Sequence, residues 1–407
     1  MRATLADIGN DGRPAAADLI RGGSPVAQWQ ALYDLLAEAP HAGDVRLDVT
    51  GWRSSYTGAP MPEADMREWA AATAQRVVSL QPSRVLDIGC GTGMLLWQIL
   101  PRVERYVGTD ASPAMVDRLA GALRDHEARA VELRCREAID FSGIQPGDFD
   151  CVVLNSVVQY FPDETYLRSV LSQALRIVAP YGAVFVGDVR HAGLLEAQAL
   201  DIEIRRAGAQ HVPDLAARVA RRVRADSQLA IDPRWFTAFA AELGLDVWAA
   251  PKLTTRDNEL TRSRYDVAIR PAATASSSAS GAPGAAPAPA ASTADVERRL
   301  DAGGECLLRD VPNRWTDELA REAEALGVTA TTGERTSAST EGAHTSMTPG
   351  ELAELARTRG LEIACSWLGG HRRGAFDAWI GPTVDPWRLQ SADAAVPSQP
   401  PNASVGA

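Results

Sequence analysis

Between residues 84 and 269 the chain alternates short apolar runs with segments whose apolar positions recur every three or four residues. The runs at 84–88, 105–109, 130–135, 149–155, 183–188, 245–250 and 265–269 predict strands. Most are apolar almost throughout, as a strand covered by helices on both faces must be. Helical spacing occupies 61–80, 93–100, 113–123, 164–178 and 235–243. This alternation predicts a doubly wound, Rossmann-like α/β domain with a parallel sheet over 60–270. Within 1–59, the segment 26–39 has apolar residues at helical spacing; it is either a lid over the site or a helix packed on the domain edge.

Composition then divides the rest of the chain. Residues 271–293 are nearly all Ala, Pro, Ser and Gly, too poor in apolar surface to fold, and read as a linker. Residues 294–382 read as a small α/β appendage, with helices near 295–300 and 317–326 and strands at 305–310, 361–367 and 376–380. A further helix starts at Thr348, with Glu351 three residues on as in a capping box, and the polar stretch 329–345 reads as a loop. The last segment, 383–407, carries Pro386, Pro397, Pro400 and Pro401 and reads as a disordered tail.

The 407 residues carry a formal net charge of −11, so no basic footprint for a nucleic-acid backbone is expected. No apolar run approaches the roughly 20 residues that cross a bilayer, and the opening segment lacks the apolar core of a secretory signal. A cytoplasmic protein is therefore expected, without membrane or nucleic-acid partners. Cys90, Cys135, Cys151, Cys306 and Cys365 are scattered, without zinc-site spacing or the density of a disulfide framework, and no metal is expected.

The candidate chemistry begins where the first strand, ending at Asp87 and Ile88, runs into Gly89-Cys90-Gly91-Thr92-Gly93 and then a helix. Open α/β sheets bind ligands at such strand ends, and glycines let a ligand approach the main chain. The next strand ends at Asp110, followed by Ala111, about 20 residues along, where an acid takes ribose hydroxyls. Asp87 repels a pyrophosphate but attracts an ammonium group, which favours S-adenosylmethionine (SAM) over a nicotinamide dinucleotide. After the third strand, Glu137 is placed to accept from an adenine amine and the Ala138 amide to donate to a ring nitrogen. Asp87, Gly89, Gly91, Gly93, Asp110, Ala111, Glu137 and Ala138 are thus the expected cofactor residues.

With these residues in place, the chain resembles the SAM-dependent methyltransferase domains embedded in nonribosomal peptide synthetases. The resemblance rests on GWRSSYTG at 51–58, MREW at 66–69, the loop 87–93, Gly108-Thr109-Asp110 and NSVVQYFP at 155–162. It continues through VGDVR at 186–190, NEL at 258–260, RYDV at 264–267, LRDVPN at 308–313 and FDA at 376–378. It implies N-methylation of an amino acid or peptidyl group held on a carrier protein, in specialised-metabolite biosynthesis. It also implies that Tyr56 closes over the cofactor. The Ala/Pro/Ser interruption departs from the family pattern, and the chain shows no adenylation, condensation or carrier segment, so it reads as a free-standing version acting in trans.

Methyl transfer is an in-line displacement that a dry, orienting pocket promotes without a metal. An α-amino group, with a reference pKa of about 7.7–8.0, needs little help from a base. The groups expected to orient it are Asn155, which also borders the cofactor, Gln159 and Tyr160. His191, after the fifth strand, is the candidate base if carbon or oxygen is the nucleophile. Three alternatives stand: N-methylation, C- or O-methylation of a polyketide or other small metabolite, and a non-catalytic scaffold for assembly-line proteins.

Overall fold

Seven apolar runs become the strands of one sheet in the computed structural model, which describes residues 24–39, 43–125, 127–208, 213–272, 288–289, 293–302, 305–327, 346–369 and 372–389. In chain order the first part comprises α1 (Pro25–Ala37), α2 (Glu63–Ser79), β1 (Arg84–Ile88), α3 (Leu96–Ile99), β2 (Arg105–Asp110), α4 (Pro113–Ala122), β3 (Val131–Cys135), β4 (Phe149–Asn155) and α5 (Glu164–Ile177). Then come β5 (Val178–Arg190), α6 (Leu195–Ala207), α7 (Leu215–Ala225), α8 (Pro233–Leu243), β6 (Leu245–Pro251), α9 (Glu259–Arg262) and β7 (Arg264–Pro271). The strand order is β3-β2-β1-β4-β5-β7-β6. Strands β3, β2, β1, β4 and β5 pair in parallel, as the alternation predicts. Strand β7 departs from that prediction. It runs antiparallel to both β5 and β6, the connection over 252–263, which contains α9, turning the chain back beside β6.

Alternate residues of β4 serve two cores. Val152 and Leu154 pack with Leu167, Val170 and Leu171 of α5, whereas Cys151 and Val153 pack with Met66, Trp69 and Val77 of α2. Each such side chain contributes about 1.5–3 kcal/mol by leaving water. Helix α1 starts on the Ser24 cap and α4 on Ser112, whose hydroxyls accept from Ala27 N and Met115 N. Helices α6 and α7 are absent from the sequence expectation. Helix α7 holds four arginines in eleven residues and buries only Val219, so its apolar periodicity is thin. Arg218 and Arg222 fix it to Glu203 of α6, each at 2.6 Å.

The second part comprises α10 (Thr293–Asp301), β9 (Cys306–Val311), α11 (Asp317–Ala325), α12 (Pro349–Arg357), β10 (Glu362–Ser366) and β11 (Phe376–Gly381), with the two-residue strand β8 (Ala288–Pro289) ahead of them. Its sheet has the order β10-β11-β9-β8. Thr348 and Glu351 make the expected capping box. Trp367 N donates to Ala249 O of β6 at 2.9 Å, and Val311, Trp367 and Phe376 share one apolar cluster with Phe239 and Val247. Most of the linker expected at 271–293, all of the loop at 329–345 and the leader before residue 24 lie outside the described residues. So does the expected tail beyond 389. Its first residues, 383–389, instead fold back on the small sheet: Leu389 is buried beside Leu307 and Trp379, and Arg270 lies 4.1 Å over the Trp387 ring. Among the described residues no helix is long and apolar enough to cross a membrane, and no group of His, Cys, Asp or Glu side chains is disposed to hold a metal.

Candidate active site

The carboxyl ends of β1, β2 and β4 open into a cavity. Two glycines shape its floor. Gly89, at φ +77°, lies where an added Cβ would come within 2.7 Å of Val157, so the loop after β4 closes against it. Gly91, at φ +52°, has open space where its Cβ would be, leaving its main chain accessible to a ligand. Gly93 does neither; its Cβ position abuts Leu119, and it lies outside the cavity lining.

Asp110 anchors the loop. One carboxylate oxygen accepts from Gly91 N and the other from Ser112 N, both at 2.9 Å, and burial raises its pKa. Asp87, only 3% exposed, accepts a hydrogen bond from the Tyr106 hydroxyl. Burial pushes its pKa up to about 7, against the lowering effect of that bond. No cation is paired with Asp87 among the described residues, so a ligand ammonium would complete its charge balance. Asp87, Gly89, Gly91, Asp110 and Ala111 all border the cavity. A buried acid with no cation beside it, a glycine main chain open to a ligand and an acid held by loop amides form a site that fits SAM.

Glu137 is a correction. Arg136 and Ala138 border the cavity, while Glu137 is exposed and outside it. The chain turns just after β3, with Asp140 N donating to Glu137 O at 3.0 Å, and Glu137 falls on the solvent side.

The far wall comes from the segment after β4. Asn155 and Tyr160 line it, and the Asn155 amide donates to the Ser156 hydroxyl at 3.2 Å. Gln159 does not reach the cavity; its amide donates to Ser156 O at 2.8 Å and braces the turn from behind. Helix α1 forms the roof: Trp29 packs on Tyr160 with centroids 4.4 Å apart, and the Tyr33 and Tyr160 hydroxyls are 2.7 Å apart. Segment 26–39 therefore borders the cavity through Val26, Trp29, Gln30 and Tyr33. Trp52 and Trp69, 4.8 Å apart, add a second aromatic wall.

Two further expected residues lie elsewhere. The turn bridged by Arg53 and Pro60 sends Trp52 to the cavity and Tyr56 away, to donate to Asp201 of α6 at 2.6 Å. His191 also turns away, packing between Tyr265 and Trp367, with Nδ1 accepting from Gly193 N at 3.1 Å. Burial lowers its pKa to about 4.

Ser156 lies in the segment 155–160 expected to orient the nucleophile, and Asp188 at the strand end expected to face the same mouth; Trp52 and Trp69 were not singled out as cavity residues from sequence. The tryptophans sit in segments that carry the family resemblance, the one available signal. The partners of Asp188 become visible only when β4 and β5 are side by side: it accepts from Trp69 Nε1 at 3.2 Å, from Ser156 Oγ at 2.9 Å and from Arg264 at 2.5 Å. Neighbouring Asp266 takes Lys252 at 2.5 Å and also Arg76.

Residues 86–184 match the model of a family described as a methyltransferase domain. The chondramide synthase cmdD of Chondromyces crocatus is 42% identical over 250 residues, covering 60% of this chain and 6% of the synthase. The probable non-canonical nonribosomal peptide synthetase CymA of Salinispora arenicola is 39% identical over 248 residues, 61% of this chain and 3% of that protein. The nonribosomal peptide synthetase agiA of Aspergillus flavus is 27% identical over 385 residues, 85% of this chain and 5% of the synthetase. The chain thus spans a small fraction of the length of the relatives it matches.

Proposed function

We propose that this chain, a SAM-dependent methyltransferase of the type found in nonribosomal peptide synthetases, N-methylates an amino acid or peptidyl substrate presented as a carrier-protein thioester. The observation that carries the reading is a single cavity in which the Asp87, Gly91 and Asp110 cradle faces a wall of Asn155, Ser156 and Tyr160 under an aromatic roof.

SAM, when bound, supplies a methyl group made electrophilic by the adjacent sulfonium. The chain supplies placement. Asp87 would hold the ammonium, Asp110 would take the ribose hydroxyls, and Arg136 and the Ala138 main chain would border the adenine. Trp29, Tyr33 and Tyr160 exclude water, which strips the nucleophile of its hydration and fixes its approach. Asn155 and Tyr160 border the space where the acceptor enters.

An amine suits this cavity better than a carbon or oxygen nucleophile. No histidine borders it among the described residues, and His191 is turned toward Trp367. A neutral amine needs no such base at cellular pH. Similarity to segments of nonribosomal peptide synthetases supports a carrier-bound substrate. The test is incubation with isotope-labelled SAM and a panel of aminoacyl groups loaded on a purified carrier protein, followed by mass spectrometry with fragmentation. The expected product carries one labelled methyl on the α-nitrogen; label only on carbon or oxygen overturns the amine assignment.

A further inference from the structure

We propose that the Ser156 hydroxyl, oriented by Asp188, receives an N–H of the methyl acceptor and aims the nitrogen lone pair at the methyl group; this rests on the amine reading above. Strands β4 and β5 end side by side, with Asn155 paired to Gly187. The next residue of each has left-handed backbone, Ser156 at φ +56° and Asp188 at φ +61°. Residues with a Cβ adopt this conformation rarely and at a cost, and such positions concentrate at functional sites. Here the two turns bring the Ser156 hydroxyl against the Asp188 carboxylate at 2.9 Å while Ser156 still borders the cavity.

Asp188 is fully buried and its other contacts are settled. Arg264 pairs with it at 2.5 Å, Trp69 Nε1 donates to it at 3.2 Å, and its own N–H donates to Asp266 Oδ1 at 2.8 Å. The carboxylate therefore already has a cation and an indole without Ser156. The serine is the member that faces the cavity. With its proton committed to Asp188, its oxygen is an acceptor toward the cavity, and its one intramolecular donor there, Asn155 Nδ2, lies at a long 3.2 Å. As the nitrogen–carbon bond forms and the carbon–sulfur bond breaks, the sulfur keeps the bonding pair and leaves as a neutral thioether. The nitrogen takes up the positive charge, then releases a proton to water. Its N–H is the strengthening donor throughout, and an oxygen polarised by a buried carboxylate strengthens with it.

Sinefungin, the SAM analogue in which an amine-bearing carbon replaces the methylsulfonium, places a donor at the methyl position and requires no substrate. S-adenosylhomocysteine lacks that donor. Ser156→Gly removes the hydroxyl and suits the positive φ, so the fold is kept; Ser156→Ala is its companion. The wild-type chain is expected to bind sinefungin more tightly than S-adenosylhomocysteine, and both variants to lose about tenfold of that preference with S-adenosylhomocysteine affinity unchanged. Asp188→Asn is expected to lower the same ratio. An unchanged ratio in Ser156→Gly, or an equal loss for both ligands, overturns the proposal. Labelling on carbon or oxygen would instead defeat the amine reading, and the two failures are read in separate experiments.

Discussion

Replacing Asp110 by Ala tests the cofactor cradle at its most specific point. The carboxylate makes two hydrogen bonds to main-chain N–H groups, from Gly91 and Ser112, each at 2.9 Å. Their loss does not unfold the loop, because Gly89 N and Cys90 N are both held by Thr109 O, at 2.7 and 3.0 Å. The unliganded variant should therefore lose only about 1–2 kcal/mol of stability. Ligand binding should suffer more. Two ribose hydroxyls lose a charged acceptor, each bond worth about 1.5–3 kcal/mol, so the loss is at least about 3 kcal/mol and Kd rises by about 100-fold or more. Isothermal titration with SAM and with S-adenosylhomocysteine measures this, alongside a thermal melt. Both ligands carry the same ribose, so both should weaken by the same factor. A folded variant whose Kd changes less than about fivefold would refute the assignment, as would a loss confined to SAM.

Four other outcomes follow from the geometry. Asp87, with its pKa raised to about 7 by burial, must ionise to hold the ammonium; SAM affinity should fall about tenfold per pH unit below that value and weaken again above the ammonium's own pKa of about 8. Titration across pH should show that peak, and Asp87→Asn should flatten its acid side. His191, lowered to about 4 by burial, stays neutral in the folded chain while the unfolded chain protonates near 6.5; stability should therefore drop as pH falls through that window. His191→Asn, which keeps a capping acceptor, should remove the dependence and leave turnover within about threefold; a much larger loss would restore it as a catalytic base. Lys252→Met should cost about 3 kcal/mol in denaturant unfolding, since buried Asp266 then keeps Arg76 alone as a cation, with cofactor affinity retained in the folded protein. Trp29→Ala, which removes the ring packed on Tyr160, should speed cofactor release about tenfold in stopped-flow, from a packing loss of about 1.5 kcal/mol; an unchanged rate would mean that α1 is no lid.

Legibility in the sequence followed the range of the interaction that fixes each feature. Strands β1, β2, β4, β5 and β7 are visible as apolar runs because both faces are largely buried, a property each strand carries alone, whereas the edge strand Val131–Cys135 buries no residue. The glycine loop and Asp110 are visible for a similar reason: their partnership spans one β-α-β step, and the spacing encodes it. The antiparallel insertion of β7 between β5 and β6 is a pairing of distant segments, and nothing in RYDVAIRP marks its direction.

Site residues obey the same division, one level down. Segment spacing located the wall at 155–160, but which side chains reach the cavity depends on the phase of a turn. There the left-handed Ser156 decides the phase. It leaves Asn155 and Tyr160 on the cavity side and turns Gln159 back to its own main chain. Glu137 and Tyr56 missed the cavity by similar reversals of phase, within segments correctly placed near it. His191 differs: the end of β5 does point to the active-site edge, yet the second sheet supplies Trp367, and burial against that ring outweighs exposure at the cavity mouth. The buried pair Asp188–Arg264 lies furthest from local reading. Its members come from a parallel and an antiparallel strand and are separated by 76 positions. A carboxylate can persist at such depth only beside its cation. The RYDV segment that looked like a mere family signature is therefore the part of the chain that supplies the buried cation beside Asp188 behind the cavity wall.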